Sequence, residues 1–301
     1  MDHAADDWDA DLLARHSVAR SVLPCVCDFN QADPLLRLSA AHAKQWPALS
    51  SARLFLGVGD GAAATVGSGC RAGDVVVTLG TSAAARKLIH GWQSPPPRGL
   101  FCYRVDRARS VLGGSLTDGG GAVDVVERLV GRQGAAAAAQ PTTVVCIPLF
   151  RGERSLGWRG AQMTGAFTGI TASTTRGDLV QAACAGTCAL LRQICDALGW
   201  TPATAVWVNG GAARSAMWTG WLSAALDGAV VFADEAQATS RGVALLLADA
   251  LAFPRAAEPL EASPRPLGEP ASAELVAAMC RVREGQREVM AALPWPRLAA
   301  L

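Results

Sequence analysis

The chain has 301 residues, of which half are hydrophobic and 18% are charged, and its formal net charge is +1. This is the composition of a globular protein that can bury a substantial core, in one large domain or two smaller ones. Because positive charge is not in excess, the composition argues against DNA, RNA or an anionic membrane as a partner and leaves a small neutral or acidic molecule as the expected ligand.

We interpret the cysteines as reduced, buried side chains rather than as metal ligands. Nine of them are scattered without a Cys-x-x-Cys pair, and the chain has only four histidines. Cys25 with Cys27, or Cys184 with Cys188, could in principle bind a metal, but neither pair has a partner at zinc-finger spacing. The acidic N-terminus lacks the apolar core of a signal peptide and no apolar run reaches transmembrane length, so we expect a cytoplasmic protein.

The first candidate for chemistry is an aspartate in a stretch of small residues. Residues 1–50 are only loosely patterned, and Leu54–Leu56 is predicted as a short strand. Gly59-Asp60-Gly61 then opens a Gly/Ala-rich stretch, which we interpret as a turn that lets a substrate approach the backbone. No Lys or Arg adjoins Asp60 in sequence to neutralise it, and this suits a general base for a hydroxyl group.

The second candidate is a strand that ends in a turn with two hydroxyl groups. The β-branched run Asp74–Leu79 predicts a strand, and Gly80, Thr81 and Ser82 follow it. The N–H groups and hydroxyls of such a turn can face an anion. These three residues are therefore predicted to hold a terminal phosphate.

Two further glycine clusters follow in an order that suits one nucleotide site, although each motif alone is more often a plain turn. Residues 113–121 precede a helix predicted at Gly121–Val130, and Asn209-Gly210-Gly211 follows a strand predicted at Ala205–Val208. A strand, a glycine turn and a helix in this order bring backbone amides and a positive helix end to one point.

The remaining pattern predicts a mixed sheet flanked by helices. One long apolar helix begins at a capping box formed by Thr175 and Asp178 and ends near Leu198. Further strands are predicted at Ala83–Ile89, Phe101–Val105, Val111–Leu112, Thr143–Ile147 and Ala229–Phe232. Further helices are predicted at Ala213–Leu226, in the apolar stretch that ends at about Leu251, and at Ser272–Leu293. A Pro-rich linker is predicted at 254–270.

In register, these motifs resemble the carboxy-terminal half of the FGGY family of carbohydrate kinases, and most of all its gluconate kinase branch. The resemblance extends from about Trp8 to about Leu251. It implies an α/β fold of the actin-like ATPase (ribonuclease H-like) type, in which sugar and ATP meet in a cleft between two lobes. It also implies three parts, namely an incomplete tail of the sugar-binding lobe at 1–70, a nucleotide-binding lobe at 71–254 and a linker with a terminal helix at 255–301.

The resemblance implies a role for each candidate residue. Asp60 matches the family's catalytic base, and Gly80, Thr81 and Ser82 match the loop around the β- and γ-phosphates of ATP. The further nucleotide contacts that it implies are Gly120, Asp124, Gly210, Gly211 and Ser215. ATP and Mg²⁺ are therefore the expected cofactors, and a small sugar or sugar acid resembling gluconate is the expected substrate.

The chain also departs from the family pattern. It lacks the Asp-x-Gly-Thr phosphate motif with which members usually begin, together with most of the sugar-binding lobe. This implies a truncated or split kinase that works with a separate amino-terminal lobe or as a homodimer, and an inactive nucleotide- or partner-binding remnant is the alternative. A Rossmann dehydrogenase is disfavoured because neither 119–121 nor 210–211 forms Gly-x-Gly-x-x-Gly.

Overall fold

A computed structural model describes residues 7–30, 37–131, 140–153, 164–227, 230–232, 237–253, 265–266 and 271–292. Within these ranges the strands are β1 (Val75–Leu79), β2 (Ala83–His90), β3 (Phe101–Arg104), β4 (Arg109–Leu116), β5 (Val145–Ile147), β6 (Ala166–Thr168), β7 (Val206–Asn209), β8 (Val230–Phe232) and β9 (Arg265–Pro266). The α-helices are α1 (Ala10–Arg15), α2 (Ala40–Gln45), α3 (Asp60–Gly67), α4 (Gly120–Val130), α5 (Arg176–Ala197), α6 (Ala216–Ala225), α7 (Ala238–Ala250) and α8 (Ala273–Ala292).

A seven-stranded mixed sheet in the order β3-β4-β2-β1-β7-β8-β9 forms the centre of the molecule. Strand β1 is antiparallel to β2 and parallel to β7, which is in turn parallel to β8. The parallel register places Thr78 beside Asn209, so the carboxyl ends of β1 and β7 lie at the same edge of the sheet. In α/β sheets this edge is where ligands commonly bind.

The two faces of the sheet carry different layers. Val75, Val77 and Leu79 of β1 belong to the main core, which includes the buried side of the long helix α5. Since side chains alternate along a strand, Thr78 points to the opposite face. Helices α3 and α7 pack on that face, around a second cluster that includes Val111.

The start of α5 confirms the predicted capping box. The Thr175 hydroxyl accepts a hydrogen bond from the N–H of Asp178 at 3.2 Å, and the Asp178 carboxylate accepts one from the N–H of Thr175 at 2.9 Å. Hydrogen bonds from the hydroxyl and the N–H of Thr175 lower the pKa of Asp178. A sequence-local signal thus fixes the start of the central helix.

Three local predictions are wrong. Leu54–Leu56 forms no strand, and the side chains of both leucines are exposed. The stretch after Gly59 is the helix α3 rather than a turn, because its alanines favour helix and Gly59, in an extended conformation, takes the N-cap position. The helix predicted at Ala213–Leu226 begins only at Ala216, after a short 3₁₀ helix at Gly211–Arg214.

Helix α3 is held against α7 by contact between their backbones. A Cβ atom at Gly242 of α7 would overlap the carbonyl oxygen of Ala63, and one at Gly67 of α3 would overlap that of Ala238. Side chains at either glycine would force the helices apart. The position of α3, which begins at Asp60, is therefore fixed by α7.

Some predicted segments fall outside the described residues. The alanine-rich stretch between Gly131 and Gln140 and the Pro-rich linker at 254–270 lie almost wholly there. Among the helices that are described, none is both long enough and apolar enough to cross a membrane.

Candidate active site

Two of the predicted glycine turns meet at the carboxyl ends of β1 and β7. Gly210 follows β7 with φ of +100°, a left-handed conformation that glycine adopts without steric cost. A Cβ atom at Gly210 would overlap the carbonyl group of Leu79, the last residue of β1. Glycine is therefore required at this position for the turn after β7 to lie against the end of β1.

The turn between β1 and β2 is tied to the start of α4. The N–H groups of Gly119 and Gly121 donate to the carbonyl of Thr81 at 2.8 and 3.0 Å, and that of Gly120 donates to the carbonyl of Gly80 at 2.7 Å. The first amides of α4 are thus used within the protein and do not face a ligand.

The phosphate-binding groups predicted at Thr81 and Ser82 are accessible. Both residues are exposed, and in the described part of the chain their N–H groups have no backbone acceptor. Two hydroxyls and two N–H donors are therefore available to an anion at this turn.

The other predicted nucleotide contacts lie around these turns. A Cβ atom added to Gly120 would lie 4.0 Å from the Cβ of Ala212. The start of α4 therefore approaches the loop that follows β7. No atom of the described residues lies within 4 Å of a Cβ added to Gly211, so on this side the position is open. Asp124 lies one turn into α4 and Ser215 precedes α6, and both are half-buried.

Asp60 is the first residue of α3 and its side chain is exposed. Its Oδ1 accepts a hydrogen bond from the N–H of Gly61 at 2.6 Å, and it forms no ion pair with any described residue. The N-terminal end of a helix favours a negative charge. Asp60 is thus an accessible carboxylate that is not committed to another side chain.

Sequence reasoning missed two side chains that lie against Gly61, the residue after Asp60. A Cβ atom at Gly61 would overlap the hydroxyl of Tyr103 and would lie 3.1 Å from Nε of Arg86. Nη1 of Arg86 in turn donates to the hydroxyl of Thr78 at 3.3 Å. Thr78 lies two residues before Gly80, so Arg86 links the neighbourhood of Asp60 to the strand that leads into the phosphate turn.

The ionisation of Tyr103 is sensitive to this neighbourhood. Burial raises the pKa of the Tyr103 phenol above its ordinary value. The positive charge and hydrogen bond of Arg86 oppose this rise, whereas the negative charge of Asp60 adds to it. In the sequence Arg86 stands between Ala85 and Lys87, so nothing in its local pattern sets it apart from a solvent-facing strand residue.

A second polar group lies behind the phosphate turn. Arg151 pairs with the buried carboxylate of Asp118 at 2.9 Å and also donates to it through its N–H. Burial raises the pKa of Asp118, and Arg151 opposes the rise. Glu153 is buried and accepts from the N–H of Thr117 at 3.3 Å. The loop at 148–153 is thus anchored by its charged residues, and Arg154 lies outside the described residues.

The family model and the curated relatives that match the chain are all carbohydrate kinases. A model of the carboxy-terminal domain of the FGGY family of carbohydrate kinases matches residues 59–251. The chain is 24% identical over 271 residues to a gluconokinase of Bacillus subtilis and 28% identical over 263 residues to a glycerol kinase of Xanthobacter autotrophicus. These alignments cover 80% and 79% of the chain but 51% and 50% of the relatives, so the chain spans about half the length of the curated relatives that it matches.

Solved structures give the fold. A gluconate kinase from Lactobacillus acidophilus superposes with a TM-score of 0.82 at 20% identity, over 95% of this chain and 61% of that chain. A xylulose kinase from Rhodospirillum rubrum superposes with a TM-score of 0.78 at 22% identity, over 97% of this chain and 62% of that chain. The predicted α/β fold of the actin-like ATPase type is confirmed.

Proposed function

The chain belongs to the FGGY family of carbohydrate kinases, and we propose that it serves the ATP-dependent phosphorylation of a hydroxyl group on a sugar or sugar acid. The observation that carries this proposal is the state of Asp60. An exposed carboxylate without an ion pair to any described residue begins α3, and the Arg86 side chain connects the next residue, Gly61, to the strand that leads into the phosphate turn. A carboxylate in that place suits proton removal from an acceptor hydroxyl.

In the proposed reaction Asp60 accepts the proton of the hydroxyl group as its oxygen attacks the γ-phosphorus of ATP. The exposed N–H and hydroxyl groups of Thr81 and Ser82 bind terminal phosphate oxygens. Gly120 and Asp124 border the nucleotide, and Gly210, Gly211 and Ser215 form the adenosine side of the site. Positioning and charge stabilisation by such groups supply most of the catalysis in phosphoryl transfer.

ATP is proposed to bind as its magnesium complex. In nucleotide sites Mg²⁺ is held largely by phosphate oxygens and water, with one or two protein carboxylates. Within the described ranges, no group of three or more His, Cys, Asp or Glu side chains could hold a metal by itself. This favours an ion that arrives with ATP and, when bound, neutralises the phosphate charge.

For the acceptor we propose a gluconate-like sugar acid. The similarity to gluconokinases supports this choice. Similarity to glycerol and xylulose kinases extends the set of acceptors to be tested to polyols and ketoses.

A sugar-binding lobe is proposed to complete the cleft, either in a separate chain or in a second copy. Exposed apolar side chains on the segment before α3, among them Val22, Trp46 and Leu49, support such a partner. The alternative is a remnant that binds nucleotide without turnover.

For the location we propose the cytoplasm. All nine cysteines are free, as is typical of a reducing compartment, and the proposed reaction needs ATP.

The Asp60→Asn variant tests the proposed function. The amide keeps the shape and the hydrogen bond to Gly61 but cannot accept the proton, so we expect kcat to fall by about 10²- to 10⁴-fold. ADP release is measured by a coupled assay with ATP, Mg²⁺ and a panel of gluconate, glycerol and xylulose. The exposed Asp11 of α1 provides the control, since Asp11→Asn is expected to keep full activity.

Two outcomes would contradict the proposed function. Equal turnover by Asp60→Asn would remove Asp60 as the base. ATP binding without sugar-dependent ADP release, with or without an added amino-terminal lobe, would favour the nucleotide-binding remnant.

A further inference from the structure

Arg86 is a positively charged residue near the proposed base, and the proposed function gives it no role. The role inferred for it rests on that proposed function. Arg86 lies in the middle of β2 and is half-buried. Its guanidinium group donates to the Thr78 hydroxyl at 3.3 Å, and it lies beside the Tyr103 hydroxyl, whose pKa it lowers. Two neutral hydroxyl groups thus hold the guanidinium in place without neutralising its charge.

The guanidinium points toward the phosphate turn. In the register of β1 and β2, Arg86 lies opposite Val76, whereas Thr78 lies opposite Ala84. The bond to Thr78 therefore shows that the side chain reaches one same-face step along the sheet, in the direction of Gly80. Nε lies 3.1 Å from a Cβ added to Gly61, so the cation contacts both the residue after the proposed base and Thr78 on the strand that leads into the phosphate turn.

Arg86 has hydrogen-bonding capacity that the protein leaves unused. Its Nε is buried without a hydrogen-bond partner, and the residue forms no ion pair with any described carboxylate. On the same face, Nδ2 of Asn209, the neighbour of Thr78 in β7, is also buried and has no hydrogen-bond partner among the described residues. An unsatisfied buried donor costs about 1–3 kcal/mol, and the cost is larger for a charged group. Two such donors on one face of the sheet, on the strands that flank Thr78, indicate a ligand that accepts hydrogen bonds.

We propose that Arg86 is a further catalytic residue, which binds an oxygen of the phosphoryl group during its transfer. The acceptor oxygen forms a bond to the γ-phosphorus as the bond from that phosphorus to the ADP oxygen breaks. The hydroxyl proton goes to the Asp60 carboxylate, and ADP leaves with the electron pair of the broken bond. Arg86 gains and loses no proton, and its charge stabilises the oxygens that carry negative charge in the transition state.

The carboxylate of a sugar acid is the other negatively charged group that Arg86 could bind, instead of the phosphoryl group. The position of the guanidinium favours the phosphoryl group, because Nε lies beside the residue that follows the base. A carboxylate at the far end of an acceptor would lie several bonds away from the reacting hydroxyl. The two sources predict different kinetics, since all acceptors share the phosphoryl group and only acids carry the carboxylate.

The kinetic test compares Arg86→Gln, Arg86→Lys and a matched control. We expect Arg86→Gln to lower kcat by at least about 100-fold with gluconate, glycerol and xylulose alike, with KM values close to those of the unaltered chain. Arg86→Lys keeps the charge but loses the planar fork, so we expect part of the activity to return. The control is Lys87→Gln, because Lys87 is the next residue of β2, points to the other face and donates to the carbonyl of Leu198 at 3.5 Å. It is expected to leave kcat unchanged.

Two kinetic results would overturn the proposal. An unchanged kcat in Arg86→Gln would remove Arg86 from the reaction. A rise in KM for gluconate with normal kinetics on glycerol and xylulose would assign Arg86 to an acid group of the substrate.

A binding test separates failure of this inference from failure of the proposed function. ADP alone, and ADP with aluminium fluoride, Mg²⁺ and gluconate as a mimic of the transferring phosphoryl group, are titrated into the 301-residue chain by calorimetry. We expect Arg86→Gln to bind ADP with normal affinity. Aluminium fluoride should increase the affinity for ADP at least about 100-fold less in this variant than in the unaltered chain. Equal fluoride complexes in both proteins would overturn the role of Arg86 alone, whereas no binding of ADP to either protein would overturn the nucleotide site itself.

Discussion

Tyr103 is the single tyrosine of the chain, so its ionisation can be followed directly. It lies beside Gly61, and the charges of Arg86 and Asp60 act on its pKa. We expect its pKa to lie above 10.0, because burial disfavours the phenolate. Asp60→Asn should lower this pKa and Arg86→Gln should raise it further. The fold favours the neutral phenol, so its contribution to the free energy of unfolding is complete below pH 10.0 and is lost as the pH rises through the raised pKa.

The measurement is the tyrosinate absorbance during a pH titration of each variant. Asp11→Asn is the control, since the exposed Asp11 lies in α1 and its charge is not among those that shift the Tyr103 pKa. A midpoint that stays the same in Asp60→Asn and Arg86→Gln would contradict the proximity of the three side chains.

At the scale of single residues, Asp60 and the glycine turns could be predicted because the residues of each motif follow one another in the sequence. Arg86 and Tyr103 could not be assigned in this way. They meet only because β4 pairs with both β2 and β3, so that Arg86 and Phe101 share Gly113 as a register partner. No spacing in the sequence gives that register.

At the scale of elements, the contact between α3 and α7 leads to a stability prediction. A Cβ atom at Gly242 would overlap the carbonyl oxygen of Ala63 and would lie 2.5 Å from the carbonyl carbon. Since backbone atoms cannot rotate away as a side chain can, we expect Gly242→Ala to lower the free energy of unfolding by about 1–3 kcal/mol. We also expect lower kcat, since α3 carries Asp60. Urea unfolding and the coupled assay measure the two effects.

The matched control is Gly220→Ala in α6. A Cβ atom there would lie 3.4 Å from the end of the Leu275 side chain, an ordinary contact. Alanine has the higher helix propensity, so this variant should gain up to about 1 kcal/mol. Equal stability changes in the two variants would show that α3 and α7 have room to separate.

The same contact explains why α3 was missed. Gly59 and Gly61 suggested a turn, but the structure uses Gly61 to bring α3 close to Arg86 and Tyr103, and Gly67 to bring it close to α7. The start of α5 was predicted because Thr175 and Asp178 are three residues apart. All residues of a capping box lie within one turn of helix, so the box can be recognised in the sequence. The close packing of α3 depends on α7, which lies far along the chain.

At the scale of the whole molecule, we expect backbone amides to exchange at very different rates. No residue of α1 or α2 is buried, whereas much of α5 is buried in the main core. Without nucleotide, amides of α1 and α2 should exchange fast and those of α5 slowly. Addition of ATP and Mg²⁺ should slow exchange at Thr81 and Ser82, whose N–H groups have no backbone acceptor in the described part of the chain.

Hydrogen exchange with peptide-level mass spectrometry measures both effects. AMP with Mg²⁺ is the control, because it lacks the terminal phosphates that Thr81 and Ser82 are proposed to bind. Slowing at these residues by AMP as much as by ATP would contradict their assignment to the terminal phosphates.

The mixed sheet and its helices could be predicted at this scale, but the strand order could not. β1 pairs with β7 although more than a hundred residues separate them, and this pairing alone brings the turns after Leu79 and Asn209 together. Alternation and glycine spacing identify strands one at a time. Which strands become neighbours depends on how the helices cover both faces.

The glycine contacts between α3 and α7 bear on how such an enzyme would close around its substrates. Asp60 is anchored through α7, which packs on the same sheet whose edge carries Thr81 and Gly210. The proposed proton acceptor and the proposed phosphate-binding turn are consequently both fixed to one sheet. If the proposed function holds, we expect a hinge movement to bring the sugar to Asp60, rather than Asp60 to the sugar.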